Sequence, residues 1–83
     1  MAANRNDFKY EITAQLGFIS ESGRAWRKEF NQVSWNGGEP KYDIRDWSEN
    51  HERMGKGVTL TEAETRKLKE LLEAEISRLD QGR

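Results

Sequence analysis

The sequence contains no cysteine, one proline and one histidine, and its formal net charge is only −1. Without cysteine there can be no disulfide. With a single histidine, a structural zinc lacks the ligand set that such sites use. Large apolar residues are scarce, with Leu, Ile, Val and Phe together filling fewer than one position in five. No apolar run approaches the ~18 residues that a membrane-spanning helix needs. The polar start, Met1 to Asp7, lacks the apolar segment of a secretory signal. The cytoplasm is the expected compartment. Charge does not point to a partner, because acidic and basic residues balance in the first sixty positions and again in the remainder.

What is present resists a disordered reading. Disorder pairs low hydrophobicity with high net charge, and here only the first holds. Aromatic residues make up 10% of the chain, three of them Trp. The 83 residues allow one domain. A domain of this size buries roughly 60–65% of its unfolded surface and is marginal alone. Disulfide and metal being unavailable, self-association is the remaining way to stabilise it. A homodimer is therefore expected.

Periodicity supplies the elements. Between Phe8 and Phe18 the even positions Phe8, Tyr10, Ile12, Ala14, Leu16 and Phe18 are apolar or small, and the intervening ones mostly polar. Period two marks a half-buried strand, predicted from Phe8 to Ser20, with Gly17 as a bend or bulge. Ser20-Glu21-Ser22-Gly23 then reads as a turn. A second strand runs from Ala25 to Trp35. Its apolar parity switches, since Trp26 and Phe30 are even while Val33 and Trp35 are odd. Either a bulge near Asn31-Gln32 re-aims the chain, or Val33 and Trp35 point away from the core. Trp26 and Phe30 are the core candidates. Asn36-Gly37-Gly38 is a turn. A third strand spans Lys41 to Trp47, with Tyr42 and Ile44 on one face and Lys41, Asp43, Arg45 and Trp47 on the other.

Ser48 to Gly57 reads as a polar loop holding a solvated His51, and Val58 to Leu60 as a short fourth strand. Thr61-Glu62-Ala63-Glu64 is a capping box that opens a helix. That helix carries Leu68, Leu71, Leu72, Ile76 and Leu79 as one apolar stripe. The stripe exceeds a narrow seam, so part of it is available to a partner chain. The predicted fold is α+β: a four-stranded curved antiparallel sheet and one C-terminal helix, ββββα. One sheet face lies under the helix and the other stays open.

Catalysis lacks equipment. A serine nucleophile needs a base, and His51 is the sole histidine. Met54-Gly55-Lys56-Gly57-Val58-Thr59 is not a phosphate-binding loop. Asn50 stands at the first glycine position of that motif, and Gly57 where Ser or Thr should follow the lysine. It reads as a basic turn, with an exposed Lys56 as the plainer alternative. No cofactor, metal or small-molecule substrate is expected.

The open face of the third strand is more informative. Lys41, Arg45 and Trp47 share it, and Trp35, Lys28, Arg27 and Arg24 lie in or near the neighbouring strand. An aromatic ring among cations suits single-stranded nucleic acid, whose bases stack while its phosphates are neutralised. For Trp35 and Trp47 the competing assignment is the core or a dimer contact. A protein-interaction module using the open face, with Trp47 as its anchor, is the alternative function; single-stranded RNA is a variant of the first.

Lys41-Tyr42-Asp43-Ile44-Arg45-Asp46-Trp47, followed by Met54-Gly55-Lys56-Gly57-Val58-Thr59-Leu60-Thr61, resembles the transcriptional positive cofactor 4 (coactivator p15) family, in particular its short bacterial, YdbC-type branch. Trp26-Arg27-Lys28-Glu29 and the segment from Val33 to Pro40 add to the likeness. The resemblance covers about residues 8–80, as a single-stranded DNA-binding domain between a disordered tail, 1–7, and a short tail, 81–83. It implies a ββββα homodimer paired through its helices, with Leu68, Leu72, Ile76 and Leu79 in the core or interface. It further implies single-stranded DNA bound with little sequence preference. Trp47 and Trp35 would be the stacking platforms, and Lys28, Lys41, Arg45 and Lys56 the phosphate contacts. The chain lacks the long Ser/Lys-rich leader of eukaryotic members, so DNA binding rather than coactivation is what the likeness carries over. Transcription regulation, replication and repair are the processes it would serve.

Overall fold

The computed structural model describes residues 8–21 and 25–82. The expectations for the tail 1–7, for Ser22-Gly23 in the first turn, for Arg24 and for Arg83 in the tail 81–83 lie outside the described residues. Four strands, β1 (Tyr10–Glu21), β2 (Trp26–Trp35), β3 (Lys41–Ser48) and β4 (Met54–Leu60), precede one helix, α1 (Glu62–Gln81). The strands form an antiparallel sheet in the order β1-β2-β3-β4. The ββββα expectation is met. Among the described residues no helix is long and apolar enough to cross a membrane.

The turns follow local chemistry. Asn36 and Gly37 both have positive φ, 53° and 76°, and the Gly38 amide donates to the Trp35 carbonyl at 2.9 Å. Two left-handed central residues are what a type I′ turn demands, and Asn-Gly supplies them with least strain. At α1 the capping box is complete. The Glu64 amide donates to Thr61 Oγ1 at 3.1 Å, and the Thr61 amide to Glu64 Oε1 at 2.9 Å.

Two sequence readings of the strands need correction. First, β2 keeps an unbroken register with β3, from Trp26↔Ser48 to Val33↔Lys41, so no bulge re-aims it at Asn31-Gln32. The irregularities lie in β1, which shifts register on β2 three times, once between Gln15 and Gly17. Second, β4 starts at Met54 rather than Val58, so Gly55, Lys56 and Gly57 are strand residues. Gly57 pairs with Arg45, and a Cβ there would collide with Arg45 Cβ and the Ile44 carbonyl. The glycine that looks like a turn signal is what lets β4 close against β3.

Directly paired residues in an antiparallel sheet share a face. The first face carries Tyr10 and Ile12, then Glu29, Asn31, Val33 and Trp35, then Asp43, Arg45 and Trp47, then Gly57 and Thr59. The second carries Trp26, Lys28 and Phe30, then Tyr42, Ile44 and Asp46, then Val58 and Leu60. The parity expected for β3 is correct, but the choice of open face is not. Trp47 and Val33 are fully buried and form the apolar core, and Asp43, Asn31 and Glu29 are buried beside them. The first face is the covered one. Trp26 and Phe30, expected in the core, are half-buried on the second.

The helix does not roof the sheet. No residue of α1 is buried, and only Thr65 and Leu68 are half-buried. Leu71, Leu72, Ile76 and Leu79 stay exposed. The molecule measures 58 × 32 × 18 Å with a radius of gyration of 15.6 Å. A compact chain of this length would have about 12 Å. The apolar stripe is therefore left uncovered by the described residues of the chain.

Candidate nucleic-acid interface

The first face is built around two ionic clusters that lie side by side, Glu29 opposite Arg45 and Asn31 opposite Asp43, with Trp47 buried next to them. In one, Arg45 grips Asp43 with both ends of its guanidinium, Nε to Oδ1 at 2.7 Å and Nη2 to Oδ2 at 2.9 Å. Thr59 Oγ1 donates to the same carboxylate at 3.0 Å, and Arg45 Nη1 donates to the Gly55 carbonyl at 3.3 Å. Asp43 is fully buried and the Arg45 side chain is 14% exposed. A buried ion pair persists only when its remaining hydrogen-bonding groups are met, and here they are. The guanidinium also lies over the Trp35 ring, 4.9 Å from its centre. That geometry is a cation–π contact shielded from water.

In the other cluster Glu29 accepts from Asn31 Nδ2 at 2.9 Å, lies 2.9 and 3.1 Å from His51 Nε2 through its two oxygens, and pairs with Arg27 at 3.4 Å. Burial, the largest single influence, pushes the Glu29 carboxyl up. The hydrogen bonds from Asn31 and His51 and the charges of His51 and Arg27 together outweigh it, holding Glu29 below the ordinary glutamate value. His51 is thus not a solvated loop residue. The turn after β3 folds on itself through Arg53 N to Ser48 Oγ at 2.9 Å and His51 N to the Ser48 carbonyl at 2.9 Å. With His51 in the left-handed region at φ 62°, the imidazole swings back over the sheet. It packs 5.6 Å from the Trp47 ring, and Tyr10 packs 5.3 Å from it on β1. The Tyr10 hydroxyl closes the cluster by donating to the His51 carbonyl at 2.5 Å.

These contacts redistribute the residues expected to bind. Trp47 is core, the competing assignment, because Tyr10 and His51 cover it; it offers no face to a base here. Arg45 has its donors engaged by Asp43 and Gly55 and is not a free phosphate contact. Arg27 is committed in part: it pairs with Glu29 and lies over the Phe18 ring at 4.8 Å, but its side chain remains 38% exposed. Trp35 is half-buried, with Phe8 stacked on it at 5.9 Å and 29°. Lys41 is exposed and shares its face. Lys28 and Lys56 are also exposed but belong to the opposite face by register, so the cations do not form one ridge. The indole N–H groups of Trp35 and Trp47 are buried with no partner among the described residues. No group of three or more His, Cys, Asp or Glu among the described residues is placed to hold a metal ion.

Glu29, Asn31, Asp43, Tyr10 and His51 escaped the sequence reading. Acidic residues on a strand look like solvent-facing positions, and no local pattern links His51 to Glu29 across the fold. The one available signal was the parity that Asp43 shares with Arg45 and Trp47.

Comparison with known proteins covers most of this region. A protein of Treponema pallidum (strain Nichols), itself uncharacterized, is 52% identical over 67 residues, which is 81% of this chain and 79% of that relative. Residues 22–71, which take in β2, β3, β4 and the first half of α1, match the family model described as Transcriptional Coactivator p15 (PC4). That span holds the Arg45–Asp43 pair, the Glu29–His51 pair and the capped helix start, and the chain belongs to the Transcriptional Coactivator p15 (PC4) family.

Proposed function

We propose that the protein is a non-enzymatic, dimeric single-stranded DNA-binding protein with little sequence preference. Trp35 carries this reading. It is a large, half-buried aromatic at the end of β2 whose ring, with the pinned Arg45 guanidinium over it and Phe8 stacked on it, stays partly open to solvent beside exposed Lys41 on the same face. Family membership supports the same activity. Bases stack on aromatic surfaces for about 1–3 kcal/mol each and tolerate any sequence, since every base has a π-face. Arg45 lies directly over the Trp35 ring and Trp47 supports it through Tyr10, which packs against both, so the platform is held rigid. Lys41 contacts the backbone, with Lys28 and Lys56 serving strand that passes round to the second face.

The dimer rests on α1. Its exposed stripe of Leu72, Ile76 and Leu79, with half-buried Leu68, is the surface that a second copy covers. Transcription, replication and repair all expose single strands in the cytoplasm of a bacterial cell, and any of them would present the ligand. Fluorescence anisotropy with labelled oligo-dT at two salt concentrations, with duplex of equal length as control, tests the reading. Binding should favour the single strand and weaken with salt, by a log–log slope of about −0.7 per phosphate neutralised. Equal affinity for duplex, or no salt dependence, would refute it.

A further inference from the structure

We infer that Phe8, two residues before β1 begins, is itself a base-stacking platform, an inference that rests on the single-stranded DNA reading. Phe8 is 55% exposed, yet it is held in place. It stacks on Trp35 at 5.9 Å and 29° and touches the Tyr10 ring at 6.2 Å. The backbone just after it is clamped by a reciprocal pair: the Lys9 amide donates to Asn36 Oδ1 at 2.9 Å, and the Asn36 amide to the Lys9 carbonyl at 2.8 Å. Asn36 can do both because it sits in the left-handed turn conformation. An aromatic that merely protected Trp35 would gain most by burying itself. Phe8 instead leaves more than half its surface to water.

The stack is ordered from inside outward. Asp43 fixes Arg45, Arg45 lies over Trp35, and Phe8 stacks on Trp35 as the exposed member. A ring so held loses little freedom when a base lands on it, which favours binding. Exposed Lys9 adjoins it in sequence, and exposed Lys41 lies diagonally across the sheet from Trp35. Cations at this spacing suit the phosphates on either side of a stacked base. The occupant is therefore an unpaired nucleobase of a single strand; a base locked in a duplex cannot present its face.

The test compares the full chain with Phe8→Ala, Phe8→Leu and Phe8→Trp, using labelled oligo-dT at several salt concentrations. Phe8→Ala should bind about 5- to 100-fold more weakly at every salt concentration, with the salt slope unchanged, because stacking displaces no counterion. Phe8→Leu keeps an apolar cover on Trp35 but has no π-face, so it should lose affinity similarly; Phe8→Trp should retain it. Circular dichroism and melting establish that each variant is folded, and Phe8→Leu decides the matter if Phe8→Ala is not. If wild type binds and Phe8→Leu binds equally well, Phe8 only covers Trp35 and the inference fails alone. Tighter binding by Phe8→Ala would overturn it too, making Phe8 an obstacle. If wild type does not bind single strands, the function reading fails and takes the inference with it.

Discussion

The first face of the sheet and the helix treat their side chains in opposite ways. The sheet face buries Asp43, Glu29 and Asn31 and provides a partner for each within the same chain. The helix carries the longest apolar stripe in the molecule and buries none of it. A half-exposed leucine loses part of the ~1.5–3 kcal/mol that full burial supplies. A buried carboxylate without a partner would lose more. The chain thus satisfies its buried carboxylates and the Asn31 amide, although the Trp35 and Trp47 indole N–H groups find no partner among the described residues, and it is incomplete where apolar surface is at stake, which a second copy can cover.

The largest break in this contrast should come from Trp47→Ala. Removing the largest fully buried side chain from a core with so few apolar members should destabilise the fold by about 3–5 kcal/mol in denaturant unfolding. A variant that stays folded with normal stability and only loses DNA affinity would return Trp47 to the binding surface. Leu72→Glu acts on the other region. It places charge in the middle of the exposed stripe and should convert a dimer to monomer in sedimentation, while the protomer keeps its sheet signal in circular dichroism; an intact dimer would mean that the stripe is not the interface. Gly57→Ala tests the sheet alone. Its Cβ would meet Arg45 and the Ile44 carbonyl, so β4 must move, at a cost of about 1–3 kcal/mol in thermal or chemical unfolding.

The smallest effect is one of pH. The Glu29 carboxyl titrates below its unfolded value in the folded chain. Its contribution is therefore fully present above about 4.3, the ordinary glutamate value, and is lost as pH falls through the lower folded value. Stability should decline across that acid window, and His51→Ala or Asn31→Ala should flatten the decline by removing the bonds that depress Glu29. Acid unfolding followed at constant ionic strength measures it. An unchanged profile in both variants would remove Glu29 from the account.

The elements were legible because they are written in local signals. Alternation marked β1, parity sorted Tyr42 and Ile44 from Asp43, Arg45 and Trp47, and Thr61 with Glu64 marked the start of α1. The interface was less legible. Lys41 and Trp35 stand out as candidates in the sequence, and Arg45 and Trp47 share their face, with the core as the competing assignment for Trp47; that Asp43 pins Arg45 follows only from the fold. Glycines in Gly55-Lys56-Gly57 read as a turn because glycine weakens a strand in general; only the close approach of β3 makes Gly57 suitable there.

The order of strands and helix, the period of each and the polar character of the chain follow from the sequence alone, since each depends on residues a few positions apart. Which face of the sheet is covered was decided by the tertiary structure. Face choice depends on Tyr10 of β1 and His51 of the β3–β4 turn, 41 residues apart in sequence, meeting over Trp47. It depends equally on Glu29 and Asp43 finding partners that let them be buried. Strand parity is a property of one backbone, whereas burial is a property of everything that packs against it.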